Sequence, residues 1–379
     1  MLFYVLSVLY LFIMFLLYKK SDKKISIISS IIYVIALLFC YNTVIVCFNS
    51  LLNIDGSLLV FSIINSVVAT ILGGVTLKRK KIQKYQFNKK EFVVVACLII
   101  VIFLIGYFRF RGFTSISYES GDSAIHYRQA VYFSEKLSLL NEYNSKDIVY
   151  KNFRGAMSIS YVNAGILINI FSDFKSYNVF FCYDIFCLVL CSLVFFTTIS
   201  KLLNTKKKSF LLVLTLLYTL AYPMNSFLFG FCYLGLGVMV ANLLYLTVLE
   251  FDKTWNNNFI YKLVIMFILC FSLFFSYYLF VPCLYLAVGL YYIQLWKKKK
   301  IDFKKMILYG GITLVIPFVI GFVHFFLLPR YIMETEPTIS FIVASEGYSY
   351  QNFTPIYIFI MISALILFEL LQKEKNKKN

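Results

Sequence analysis

The stretch Tyr118-Glu119-Ser120-Gly121-Asp122-Ser123-Ala124-Ile125-His126-Tyr127-Arg128-Gln129 brings two acids, one of the chain's two histidines and an arginine into one short segment of an otherwise apolar sequence. A carboxylate beside an imidazole and a guanidinium is a set that can move a proton and hold an anion. Asp122 and His126 are the candidate acid–base pair, with Glu119 as a further carboxylate and Arg128 as an anion-binding cation. If a helix begins near Asp122, then Asp122, His126 and Gln129 share one face, because residues three and four apart stack on a helix surface. Asp122 also sits where free backbone N–H groups and the helix dipole favour a carboxylate. The plainer reading is therefore a capping acid on a surface helix.

The elements that position this segment follow from composition. Of 379 residues, 61% are hydrophobic and 19% aromatic, and the mean hydropathy is +0.80. A soluble domain has no interior large enough for that much apolar surface, so the expected class is an all-α, polytopic transmembrane bundle forming one domain over 1–379. Apolar runs of spanning length fall at 2–18, 26–48, 56–77, 92–108, 178–200, 209–225, 232–250, 258–276, 277–295, 306–328 and 354–371. The first is read as a span and not as a removed signal peptide, since it has no basic leader region or small-residue cleavage site. The pair meeting at Ser276-Tyr277-Tyr278 is counted as two spans, with almost no loop between them, and could instead form one kinked segment.

The net charge of +18 does not point to nucleic acid, because the basic residues lie in short clusters between apolar runs. Twenty-seven of the 36 Lys and Arg residues fall at 19–24, 78–90, 201–208, 253–262, 297–305 and 373–378. Eleven spans with the N-terminus outside place all of these in the cytoplasm and the other nine outside, as the positive-inside rule requires. One more crossing would invert every later cluster. The apolar run 156–172, rich in Ser and Asn, is therefore expected to be an interfacial or re-entrant helix within a long outer loop, 109–177.

A second outer loop, 329–353, carries Arg330, Glu346 and Tyr348 in a polar and aromatic setting suited to gripping a polar ligand, or to an ordinary interfacial belt. Asp184 lies about two turns into its span, where an acid is expensive unless it faces the bundle interior or a partner. His324 sits near the outer end of its own span. All of these groups converge on one membrane face, while the cytoplasmic face is expected to carry lysines and scattered acids without a constellation.

All nine cysteines fall in or beside apolar runs, without metal-ligand spacing, and read as small core residues. No nucleotide-binding or hydrolase motif occurs, so an enzyme with an outward site needs a donor carried in the membrane, and a lipid-linked sugar suits that need. The acid-bearing outer loop, with an Asp followed by a short helix, resembles the GT-C glycosyltransferases. The form Gly121-Asp122-Ser123-Ala124-Ile125-His126-Tyr127 looks like the GDxxxHY variant of bacterial surface-polysaccharide enzymes, including O-antigen-polymerase-like proteins. Four spans precede the loop here, whereas the family's loop normally follows the first.

The resemblance implies transfer of a sugar or glycan repeat from a polyprenyl-phosphate-linked donor at the outer face of a bacterial plasma membrane, alongside other polysaccharide-assembly proteins. Asp122 would then take the acceptor's proton or bind a catalytic divalent metal. No other cofactor is implied. Arg128, Asp184, His324, Arg330, Glu346 and Tyr348 are the candidate substrate-binding residues. Two other classes stay open: a transporter or flippase of a lipid-linked glycan, and a non-catalytic partner in a surface-polymer machine.

Overall fold

The computed structural model describes residues 1–18, 24–52, 56–79, 82–110, 122–137, 158–203, 208–228, 230–252 and 259–323. Within them the chain is mostly helical, and the strands among the described residues are one two-residue parallel pair. Helices α1 (Leu2–Leu17), α2 (Ile27–Leu51), α3 (Leu58–Arg79) and α4 (Lys89–Phe110) come first. They are followed by α5 (Asp122–Lys136), α6 (Ser158–Ile170) and α7 (Ser176–Leu203). The second half comprises α8 (Lys208–Ala221), α9 (Pro223–Leu228), α10 (Cys232–Asp252), α11 (Phe259–Ser276), α12 (Val281–Lys297), α13 (Phe303–Gly310) and α14 (Ile316–Phe322). A single π-helical turn, Gly311–Val315, joins α13 to α14.

Eight of the described helical segments are long and apolar enough to cross a membrane: Ile27–Asn49, Leu58–Lys78, Lys89–Phe108, Ser176–Leu203, Ser209–Leu228, Cys232–Phe251, Tyr278–Lys297 and Phe303–Phe322. Leu2–Leu17, Ser158–Ile170 and Ile260–Ser276 are shorter apolar helices. The run at 354–371 lies outside the described residues. Helices are the expected answer in such a chain, since each satisfies its own backbone N–H and C=O groups without water.

Helices α2, α6, α7, α10 and α11 form the centre, and α3, α4, α12 and the α13–α14 rod lie outside it. The outer helices turn Leu59, Ile63, Ile71, Phe103, Leu286 and Phe318 outward. An apolar surface of that extent calls for lipid as its solvent. Pro223 lacks the N–H needed to continue a helix, and the chain breaks there into α8 and α9.

Helix α6 does not lie flat on the surface, as an interfacial helix would. Ten of its thirteen residues are buried, and it packs on α2, α5, α7, α10 and α11. It is an inserted helix, packed among its neighbours. Its polar residues are the reason: Asn163 accepts at 3.0 Å from Asn42 Nδ2 and donates to the carbonyls of Ile159 and Phe39 at 3.1 and 3.3 Å. Side-chain amides join helices in this way where no water competes. The segments meeting at Tyr277 are likewise settled as two helices, because α11 ends at Ser276 and Tyr285 on α12 donates back to the Cys270 carbonyl at 2.8 Å.

The helix ends gather into two polar caps. At one, Tyr127 Oη and Ser176 Oγ lie 2.6 Å apart, Tyr233 packs on Tyr277, and Gly56 lies against the Leu137 backbone with no room for a Cβ. At the other, Ile25 and Ser26 pair with Tyr85 and Gln86, and Tyr18 bridges Ile82.

Candidate functional site

Helix α5 begins at Asp122, the residue at which the sequence places the helix start. The conformation of the Asp122 side chain is outside the described residues, as are Glu119, His324, Arg330, Glu346 and Tyr348 altogether. Among the described candidates, His126, Arg128 and Asp184 can be placed.

His126 and Gln129 are each 2% exposed and lie on the same buried face of α5. The shared face is the one that their spacing specifies. The His126 ring packs on Tyr233 at 5.1 Å, just inside the start of α10. Burial lowers its pKa from 6.5 to about 4, so near neutral pH the ring is uncharged. It supplies no positive charge with which to hold Asp122 ionised, and any influence on Asp122 runs through position and hydrogen bonding.

A test of that burial follows from proton linkage. Between the usual histidine pKa and about 4, the unfolded chain binds a proton that the folded chain excludes, so stability falls as pH drops through this window. The loss is expected to reach roughly 3 kcal/mol. Thermal unfolding of purified protein at about pH 7 and about pH 4.5 should show a downward shift that is smaller in His126→Gln.

Arg128 lies on the opposite, exposed side of α5. Its Nε and terminal nitrogen donate to Tyr132 Oη at 3.4 and 3.3 Å, and its guanidinium stands 5.6 Å from that ring. One face of α5 thus carries a buried neutral imidazole and the other an accessible cation.

Asp184 is 3% exposed, inside α7. Tyr183, Cys187 and Cys232 lie near it, and Ser160 on α6 lies near Cys232. Cys232 adjoins Tyr233, against which His126 packs. Asp184 and His126 therefore approach the start of α10 from two sides, Asp184 from α7 and His126 from α5. Tyr127 tightens the same junction through Ser176 Oγ and, at 5.4 Å, the Phe180 ring. Among the described residues no three His, Cys, Asp or Glu side chains converge closely enough to hold a metal ion.

Helix α5 is locked onto α6 through Gly165. A Cβ there would come within 2.6 Å of Phe133 Cδ1 and 2.7 Å of the Ala130 carbonyl oxygen. Asn169 Nδ2 donates to the Ser134 carbonyl at 2.7 Å. Tyr233, Asn163 and Gly165 were not singled out from sequence as site residues. The only signal was Asn and Gly recurring within an apolar run.

The other cap gathers polar and aromatic groups of its own. Glu250 pairs with Lys201, Ser29 donates to Glu91 at 2.6 Å, and Tyr18 stacks on Tyr261 at 4.3 Å. Lys262, expected among loop charges, is 1% exposed, with its ammonium 5.3 Å from the Phe251 ring. These contacts join residues far apart in sequence and tie α1, α2, α4, α7, α10 and α11 together.

Comparison of the chain with protein-family models, with curated proteins and with solved structures finds no match.

Proposed function

We propose that the protein is a multi-pass glycosyltransferase or polysaccharide polymerase of the bacterial plasma membrane. It would take a sugar or glycan repeat from a polyprenyl-phosphate-linked donor at the cap formed by α5 and α6. The observation that carries this reading is the packing of the polar helix α5 on the short apolar helix α6, with His126, Gln129 and Asn163 buried, at one end of a bundle whose outer helices expose apolar side chains. A donor held in the membrane by its polyprenyl chain reaches such a site without leaving the bilayer. The reading includes eleven spans with the N-terminus outside, so that the α5 cap faces outward and the Lys201–Glu250 cap faces the cytoplasm.

In this scheme Asp122 accepts the proton of an acceptor hydroxyl as its oxygen bonds to the donor's anomeric carbon. The bond from that carbon to the phosphate oxygen breaks, and the polyprenyl phosphate leaves with the electron pair. Arg128, with Arg330 from the second loop, balances the phosphate charge. Purified protein supplied with a polyprenyl-diphosphate-linked oligosaccharide should release polyprenyl diphosphate together with a longer glycan. An unreacted donor under conditions in which the protein stays folded would contradict the proposal.

Asp184, buried within a helix of spanning length, favours one second reading, a flippase for the same lipid-linked glycan. The two readings part at the Lys201–Glu250 cap. A transporter must open it, whereas a transferase works with it shut. In a cysteine-free background, a disulfide between Tyr18→Cys and Tyr261→Cys, whose rings stack at 4.3 Å, should leave glycan transfer within about twofold of the reduced protein. Translocation of the lipid-linked glycan across proteoliposomes that stops on oxidation and returns with reductant, with no longer glycan formed, would favour the flippase.

A further inference from the structure

The turn joining α12 to α13 displays Lys297, Lys298, Lys299, Lys300, Lys304 and Lys305 around a single acid, Asp302. It is a built turn. Lys299 has φ 54°, and the N–H groups of Lys299 and Lys300 donate to the carbonyls of Trp296 and Leu295 at 2.8 and 2.9 Å, closing α12 with a Schellman-type cap. Asp302 then opens α13, with Oδ1 accepting from the Lys305 N–H at 2.7 Å and Oδ2 lying 3.3 Å from Lys305 Nζ. The backbone hydrogen bond and the adjacent lysines hold this carboxyl below its usual pKa. Ile301, between the two caps, is buried and pins the turn.

Two features mark the turn as more than a solvated charge run. The left-handed position is one that glycine occupies at least cost, yet here it holds a lysine, which keeps the charge at a conformational expense. Beside the lysines, the exposed Trp296 and Phe303 pack edge-to-face at 5.6 Å. Above them α12 and α13 turn Leu286, Leu290, Ile293, Ile307 and Leu308 outward. Apolar rods, then an aromatic pair, then clustered cations follow the order of acyl chain, interface and headgroup in one bilayer leaflet.

We propose that this elbow is a binding site for the phosphate headgroup of an anionic phospholipid. The lysines contact the headgroup, Trp296 and Phe303 sit at the glycerol level, and the outer faces of α12 and α13 hold the acyl chains. The site is independent of the α5 cap and of the chemistry proposed there.

The test uses full-length protein in phosphatidylcholine nanodiscs. Trp255→Phe leaves Trp296 as the only tryptophan. A small fraction of dibrominated phosphatidylglycerol, or an equal fraction of dibrominated phosphatidylcholine, quenches Trp296 in proportion to its local concentration. The anionic lipid is expected to be enriched roughly fivefold or more at Trp296. Raising salt to about 1 M, where charges are screened within a few ångströms, should remove the preference, as should replacing the six lysines by Gln. Equal quenching by the two lipids overturns the proposal. So does a preference that millimolar inorganic phosphate abolishes at constant ionic strength, which would identify a site for a small anion and not for a lipid.

Discussion

Asp122→Asn is expected to reduce glycan transfer by at least about 10²-fold, the smallest contribution usual for a positioned base. The substitution preserves size, and Asn serves near a helix start about as well as Asp, so α5 should form and the protein should insert normally. What it removes is the capacity to take a proton. Product formation measured with a lipid-linked donor, alongside the thermal stability of the purified variant, separates chemistry from folding. Activity close to that of the parent protein would reduce Asp122 to a helix-start residue and take the proposed mechanism with it.

The second large effect is structural, at Gly165→Val. A Cβ at this position meets the Ala130 carbonyl oxygen at 2.7 Å and the Ser134 nitrogen at 3.2 Å, and backbone atoms of a packed helix cannot swing aside as a side chain can. Helix α5 must shift off α6, carrying His126 from Tyr233 and Asp122 from its place at the cap. Overpacking of this kind costs about 1–3 kcal/mol. We expect a lower unfolding temperature and a loss of transfer comparable to that of Asp122→Asn. Gly74→Ala is the control, since nothing lies within 4 Å of the added methyl and alanine favours a helix by up to ~1 kcal/mol. A Gly165→Val protein as stable and active as Gly74→Ala would show that the α5–α6 contact does not position the site.

Much of the helical architecture was legible because bilayer-length apolar runs leave the backbone little choice. The start of α5 at Asp122 and the shared face of His126 and Gln129 also followed from residue type and spacing, whereas the burial of that face and of Asp184 came from packing between helices. The depth of α6 was not legible either. Counting lysine clusters bears on the number of crossings expected, but not on whether a short apolar helix lies on the surface or among its neighbours. That choice was made by Asn163 meeting Asn42, a contact across 121 residues.

The Lys201–Glu250 pair and the Tyr18–Tyr261 stack were hidden for the same reason, being built from the ends of separate helices. Lys262 counts in the sequence as one of the cytoplasmic basic residues, but its burial was not legible there: its aliphatic stem and the Phe251 ring let it pack within the first turn of α11. Two-residue strands such as Ile25–Ser26 carry no periodicity from which to be recognised.

The account depends most on the α5 cap facing outward, because a polyprenyl-linked donor and the lysine-rich caps are otherwise on the wrong sides. In a background without the nine native cysteines, single cysteines at Ser123 and Lys298 stand at opposite ends of the bundle. A membrane-impermeant maleimide applied to intact cells should label Ser123→Cys and leave Lys298→Cys unlabelled until the cells are opened. Labelling of Lys298→Cys with protection of Ser123→Cys would invert the protein in the membrane and contradict transfer from an outward-facing lipid-linked donor.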